Sequence, residues 1–436
     1  MSTEPATVRT DGASDEPLVL VSADSHVGPR LKEDLRQFCD KSHLEAFDAF
    51  AAQAPGMPLV GRELKAAFDW NAQTEGHYDP DVRLKDMDAD GVSAEIVFHG
   101  SQNFIPLPFD TGSLFGNIES MDGADLELLA AGRHIYNRWL AELCSVQPER
   151  HVGLAQLPIW DLDASITEVK WAAGAGLKGI NFPAADAPGM APLDDPKFEE
   201  FYAVCADLDM VLTTHVSQAP PAHRYHRSPY GGPLGILDAG WWCRRSMMIL
   251  TFIGAFERYP NLKLVLTEHP GSWFLPTLEE MDSMYHYVQS GPLRKSLPKE
   301  PSEYVRSNVW VGASFQSRQE AVDAVEGGFS DRLMWGSDYP HAEGTWSFPD
   351  KDEEIPMTHL ALASTYHDLP TADTRKMAGE NAIACYHGLD LDTLRDVASK
   401  INAPRPSQVA TMPPEPETPH HTRRVSMAFR DRGAWA

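Results

Sequence analysis

Short apolar runs of strand length alternate with longer stretches of helical period from about Leu18 to Leu389 of this 436-residue chain. The apolar runs Leu18–Val27, Ser93–His99, Val152–Ile159, Leu177–Phe182, Met210–Val216, Leu262–Glu268, Val305–Val311 and Leu333–Ser337 predict eight strands. Between and after them, Asp79–Asp90, Asp122–Val146, Ala164–Ala173, Lys197–Leu208, Gly240–Arg258, Phe274–Tyr287, Arg318–Val325 and Ala372–Gly388 predict helices, two of them stopped by Gly91 and Gly174. Several strands are apolar without interruption, so both of their faces are buried, which is the mark of a parallel sheet covered by helices. Eight such units are the number that closes an α/β (β/α)8 TIM barrel. An open doubly wound sheet is the alternative, but no GxGxxG follows the first strand.

The pattern fails in three places. Residues 1–17 are polar and acidic, without the apolar core of a secretory signal, and are expected to be a disordered leader. Residues 28–80 form an insertion into the barrel unit of 18–390, with helical stretches and the aromatic Phe68-Asp-Trp70. Residues 391–436 form a C-terminal extension that opens with a short helical stretch, Leu394–Ile401. Past Ala403 it carries six prolines, a composition that is disordered or wraps a neighbouring subunit.

Charge narrows the partners. Thirty-seven basic against sixty-three acidic residues give a formal charge of −26, the wrong sign for nucleic acid or an anionic membrane. No apolar run approaches the roughly 18 residues of a membrane span. The five cysteines are scattered and form no CxxC pair, so neither a zinc ribbon nor a disulfide framework is indicated, and a reducing cytoplasm is expected. What remains is a small-molecule substrate, with a homodimer or higher homo-oligomer as the expected assembly.

Four of the strand-like runs end in the same chemistry. They are Leu18-Val-Leu-Val-Ser-Ala-Asp24-Ser-His26, Val211-Leu-Thr-Thr-His215, Leu264-Val-Leu-Thr-Glu-His269 and Leu333-Met-Trp-Gly-Ser-Asp338. Side chains two apart on a strand point the same way, so Asp24 and His26 face the barrel mouth together while Ser25 turns outward. Pro270-Gly271 after His269, and Tyr339-Pro340 after Asp338, break their strands and are expected to open both groups to the mouth. Catalytic groups of α/β barrels sit at the C-terminal strand ends, and imidazoles with carboxylates converging there suit a divalent metal. Taken alone, a histidine after an apolar strand is more often a satisfied core residue than a ligand, and an Asp-x-His pair more often a strand-end hydrogen bond. The joint placement is what argues for a metal.

The ordered set Asp24-x-His26, His215, His269, Asp338 resembles the amidohydrolase superfamily, in the amidohydrolase-related branch of aminocarboxymuconate-semialdehyde and resorcylate decarboxylases. Arg83-Leu-Lys-Asp-Met-Asp-Ala-Asp-Gly91, Gly176-Leu-Lys-Gly-Ile180, Trp335-Gly-Ser-Asp-Tyr-Pro340 and Gly379-Glu-Asn-Ala382 match that branch as well, over roughly residues 18–400. The resemblance implies a metal-dependent hydrolase type of barrel. Asp24, His26, His215 and Asp338 are its metal ligands, Asp338 also a catalytic group, and His269 the catalytic imidazole beside the metal's water. Asp24 stands where the best-known members carry histidine. That extra oxygen makes the site harder, so one Zn2+ is expected with Mn2+ as competitor. No carboxylated lysine is implied at Lys178.

The resemblance leans toward non-oxidative decarboxylation, a carbon–carbon lyase reaction on a small carboxylated aromatic or unsaturated compound. Hydrolysis of a C–C, ester, lactone or amide bond on the same scaffold, and a barrel kept only for binding, stay as alternatives. In the loop after strand five, Arg224 and Arg227 either grip a substrate carboxylate or pair with acids at the surface. His99 and Trp70 are candidates to line the pocket. His341 and Glu343 are candidates to orient Asp338, and His341 also to meet the substrate.

Overall fold

The structure is a computed structural model that describes residues 15–53, 74–110, 123–216, 231–269, 271–314, 316–346 and 355–411. Eight strands run β1 Leu20–Val27, β2 Val92–His99, β3 His151–Ala155, β4 Gly179–Asn181, β5 Val211–His215, β6 Leu264–Thr267, β7 Val309–Ala313 and β8 Leu333–Trp335. Each pairs in parallel with the next in sequence order. The ring closes just past β8, where Asp338 N donates to Asp24 O at 3.0 Å and His26 N to Tyr339 O at 2.6 Å. The expected (β/α)8 barrel is therefore what the chain forms.

Why uninterrupted apolar strands suit this fold is visible in their two faces. Along β1 and the two residues before it, Val19, Val21 and Ala23 point into the barrel while Leu18 and Leu20 point to the helix layer; in β6, Val265 points in and Leu264 and Leu266 out. The inner face also holds Ile96, Phe98, Leu154, Val211, Trp310 and Met334, so the barrel is packed and has no pore. The outer face is covered by α1 Leu44–Gln53, α2 Pro80–Asp90, α3 Leu126–Cys144, α4 Leu162–Gly174, α5 Phe198–Asp207, α6 Gly231–Phe252, α7 Phe274–His286, α8 Pro301–Asn308, α9 Arg318–Glu326 and α10 Met357–Tyr366. Local chemistry sets their ends. Asp79 caps α2 by accepting from Asp81 N and Val82 N, Pro80 occupies the first turn, and Gly91 closes it at φ 81°.

The strand expected over Val305–Val311 begins only at Val309. Pro301 and the reciprocal Glu300–Glu303 capping box start α8, which keeps Val305 helical and buried. The closing helix expected over Ala372–Gly388 is broken into Thr371–Arg375, a π-turn at Lys376–Glu380 and Asn381–Cys385. It then continues into α11, Leu391–Ala398, whose Leu394 and Ala398 pack with Tyr386 and Leu389 against the bottom of the barrel. Val409 joins the outer core, Leu18 N donates to Pro404 O, and Arg405 and Arg375 bind the backbone of Asp15 and Glu16. Residues 391–411 thus cap the N-terminal end of the strands and leave the other end for chemistry. Among the described residues, no helix is long and apolar enough to cross a membrane.

Candidate metal centre

A bulge aims the first two groups. Ser22 pairs with Glu95 but Ser25 with Val97, so β1 carries one extra residue at Ala23–Asp24. There Asp24 Oδ1 and His26 Nε2 lie 3.1 Å apart. His26 Nε2 is 3.3 Å from Asp338 Oδ1, and His215 Nε2 is 3.6 Å from Asp24 Oδ1. The donor atoms of Asp24, His26 and His215 lie within 4.8 Å of one another, as do those of His26, Asp338 and His341. Asp24, His26, His215 and Asp338 are all buried at the C-terminal strand ends.

These groups suit a cation on two grounds. Asp24 Oδ1, His26 Nε2 and both carboxylate oxygens of Asp338 are buried and make no hydrogen bond among the described residues. Buried charged acceptors are rarely left so. The electrostatics agree: burial alone would raise the Asp24 carboxyl, but the His215 and His26 imidazoles hold it below the usual range. Burial would likewise lower His26, and Asp24 with Asp338 instead lift it to about 10. The carboxylates thus want positive charge at this point, which a divalent ion supplies.

Neighbouring residues hold the cluster in shape. Ser314 Oγ donates to Asp24 Oδ2 at 2.5 Å, fixing one oxygen and leaving the other for the cluster. Arg83, fully buried, donates to His26 O at 2.9 Å and Ser25 Oγ at 3.0 Å while paired through two nitrogens with Glu95 at 2.5 and 2.7 Å. Phe98 packs edge-on to His215, and the His341 ring stacks on His26 with centroids 4.0 Å apart. His341 Nδ1 is 3.0 Å from Asp338 Oδ1, and its Nε2 is 3.1 Å from Gly100 O. Glu343 lies 2.6 Å from Gln102 Nε2, which donates to it, and meets His341 at 4.0 Å.

The remaining expected residues fall elsewhere. His269 is fully buried, where the break at Pro270-Gly271 was expected to expose it: its ring meets Trp273 edge-on and lies in the field of Arg244. Burial, then Arg244 and His215, push its pKa down to about 3. His99 turns from the mouth to the helix layer, edge-on to Tyr136 of α3 at 5.2 Å. Strand alternation gives the inward place to Phe98. Arg224, Arg227 and Trp70 lie outside the described residues. Lys178 points the other way, donating to His151 O at 2.8 Å.

Two groups that the sequence reading passed over stand at the mouth. Glu268 ends β6 at φ 60°, a backbone turn that swings its carboxylate to 3.4 Å from His215 Nε2. Burial, then Asp338, Asp24 and Glu343, raise its pKa well above the ordinary value. The run Thr267-Glu268-His269 already carried this signal, because a carboxylate at a predicted strand end is as good a candidate as the imidazole beside it. Arg244, on α6, is the second.

The chain matches the amidohydrolase family over residues 70–388. It is 28% identical over 217 residues to the gamma-resorcylate decarboxylase of Rhodococcus jostii, a stretch covering 47% of this chain and 64% of that protein. It is 24% identical over 270 residues to the 2-amino-3-carboxymuconate-6-semialdehyde decarboxylase of Dictyostelium discoideum, covering 61% and 68%. The 5-carboxyvanillate decarboxylase of Novosphingobium aromaticivorans, solved with manganese and 3-methoxy-4-hydroxy-5-nitrobenzoic acid, shares the fold. Its TM-score is 0.57 at 20% identity, covering 84% of this chain and 96% of that one.

Proposed function

The chain belongs to the amidohydrolase family, and from that premise we propose that it is a metal-dependent, non-oxidative decarboxylase of a small carboxylated aromatic acid. The observation that carries the proposal is the buried cluster of Asp24, His26, His215 and Asp338, whose side chains converge at the C-terminal strand ends. These four residues would hold the ion. A divalent cation there supplies Lewis-acid polarisation of a substrate oxygen. Two carboxylates in the set, with Glu268 as a third at its edge, favour a hard ion, and we place Mn2+ ahead of Zn2+.

The chain's own groups then have three tasks. His341 orients Asp338 and stacks on His26, so the two sides of the cluster move as one. The reaction replaces a ring carboxylate with a proton. Glu268 at the end of β6, pushed toward its protonated form by burial and by Asp338, Asp24 and Glu343, is the group to deliver it, with the neutral His269 beside it. Phe98 and Trp273 bring apolar surface to the same end, which keeps water from competing for the proton.

Metal analysis and CO2 release test this reading together. The purified protein is expected to carry about one equivalent of metal and to release CO2 from a panel of hydroxylated benzoates. His215→Ala and Asp338→Asn are each expected to lose both. Stoichiometric metal in both variants removes the assigned ligands. Turnover of esters or lactones without CO2 from any acid makes the protein a hydrolase on the same scaffold.

A further inference from the structure

Beside the metal cluster at the end of β6, three side chains carry buried nitrogens with no hydrogen-bond partner among the described residues. They are Arg244 Nε, Trp273 Nε1 and both ring nitrogens of His269. They are in mutual contact or field. The Arg244 guanidinium lies 4.6 Å above the Trp273 ring, and the Trp273 and His269 rings meet edge-on at 6.2 Å. Gly240, one turn before Arg244 on the same face of α6, leaves room over the imidazole: a Cβ there would come within 3.9 Å of His269 Cε1.

Arginines of this chain pair with an acid or, like Arg306 and Arg318, with backbone carbonyls. In a chain of formal charge −26, Arg30, Arg83, Arg138, Arg258 and even the adjacent Arg245 each hold a carboxylate. Arg244 is half-buried and has no ion pair with a carboxylate among the described residues, and burial draws its pKa down to about 10. His269 is fully buried and Trp273 is 7% exposed, so their donors cannot be satisfied by bulk water. Arg244 Nε over an indole, with the indole N–H and an imidazole beside it, is a set of buried donors without an acceptor among the described residues. Such a set fits one chemical class of ligand, a planar oxyanion.

We propose that Arg244, Trp273 and His269 form the pocket that receives the carboxylate of the aromatic acid, beside the metal cluster. The inference rests on the reading of the substrate as a carboxylated arene and deepens it. Arg244 sets the preference for an acid, and Trp273 fixes the plane of the guanidinium. His269 closes the pocket toward His215.

Absorbance titration of the manganese-loaded protein tests it with two nitrophenols differing only in the acid group: 3-methoxy-4-hydroxy-5-nitrobenzoic acid and 2-methoxy-6-nitrophenol. The wild-type protein is expected to bind the acid more tightly. Arg244→Gln is expected to weaken the acid about ten- to a hundredfold, the loss of a charge-assisted pair, and to leave the phenol within about twofold. Arg244→Lys should recover part of the loss, and Trp273→Phe should lose a few-fold for the acid alone. The pocket is overturned if Arg244→Gln leaves the acid unchanged or weakens both compounds alike, or if the wild type shows no preference for the acid. Metal content and CO2 release are read in parallel. CO2 release with no effect of Arg244→Gln sinks the pocket alone, whereas an Arg244-dependent acid preference without CO2 from any acid sinks the decarboxylase reading alone.

Discussion

Asp90 ends α2 with its carboxyl buried, accepting from Thr358 Oγ1 at 2.7 Å, far from any cation. Burial, with a smaller push from Asp86, raises its pKa to about 7 against 3.8 in the unfolded chain. The folded protein therefore binds more protons than the unfolded chain between those values. The stability contributed by protonated Asp90 is fully present below about pH 4 and is lost as pH rises through about 7. Asp90→Asn keeps the acceptor for Thr358 and has no charge to bury. The variant is expected to melt higher than wild type at pH 8, by an increment on the order of a few kcal/mol, with the gap narrowing steadily toward pH 5 and closing near pH 4. Melting curves across pH 5–8 check this, and parallel profiles for the two proteins would exclude it. The same logic of burial against partners separates the mouth residues. Asp24 is held low by two imidazoles, whereas Glu268, facing Asp338, Asp24 and Glu343, is pushed up.

At the scale of elements, the closing helical run shows what packing adds to pattern. A regular helix over 371–385 is interrupted at Lys376–Glu380 because Gly379 presses against β1, where a Cβ would lie 2.0 Å from Val19 O. Gly379→Ala must push β1 or the π-turn aside, and since β1 carries Asp24 and His26, the cost is expected in two readouts. The melting temperature falls, and metal binds more weakly; a variant with wild-type metal affinity and melting would show that the contact yields freely. This contact is also where legibility in the sequence ends. The eight strands were legible because each is a short apolar run with a polar end, and the convergence of Asp24, His26, His215 and Asp338 because those ends share one kind of side chain. Val305–Asn308 was misread as strand because its apolar residues are buried on a helix face, and only the Pro301 start and the Glu300–Glu303 box distinguish the two. Arg244 was not legible at all. It sits mid-helix beside Arg245, and only packing shows that one of the pair finds Asp186 while the other faces His269. Glu268 was legible as a carboxylate at a predicted strand end, but its reach to His215 depends on a backbone turn at φ 60° that no residue type announces.

For the whole molecule, the two ends of the barrel divide the work. The N-terminal ends of the strands are sealed by Tyr386, Leu389, Leu394 and Ala398, an apolar closure pinned by the Tyr386 and Thr213 hydroxyls at 2.9 Å. The C-terminal ends crowd Asp24, Asp338 and Glu268 with few positive partners, an arrangement that favours folding when a cation is shared among them. An ion that binds only the folded chain stabilises it by mass action, by about 2.7 kcal/mol at a free concentration a hundredfold above Kd. Chelation is therefore expected to lower the melting temperature by several degrees, and re-addition of Mn2+ to restore it. The increment should shrink as pH falls and the imidazoles take up protons in competition with the ion. Asp338→Asn, which removes one of the four proposed ligands, should show no response to the chelator. Hydrogen exchange locates the effect: chelation should raise exchange at the ends of β1, β5, β6 and β8 and leave Leu391–Ala398 unchanged. A shift spread evenly over both ends would mean that the ion is not held where the four side chains meet. A melting temperature indifferent to chelation in a metal-loaded protein would mean that the crowded carboxylates are balanced by the chain itself.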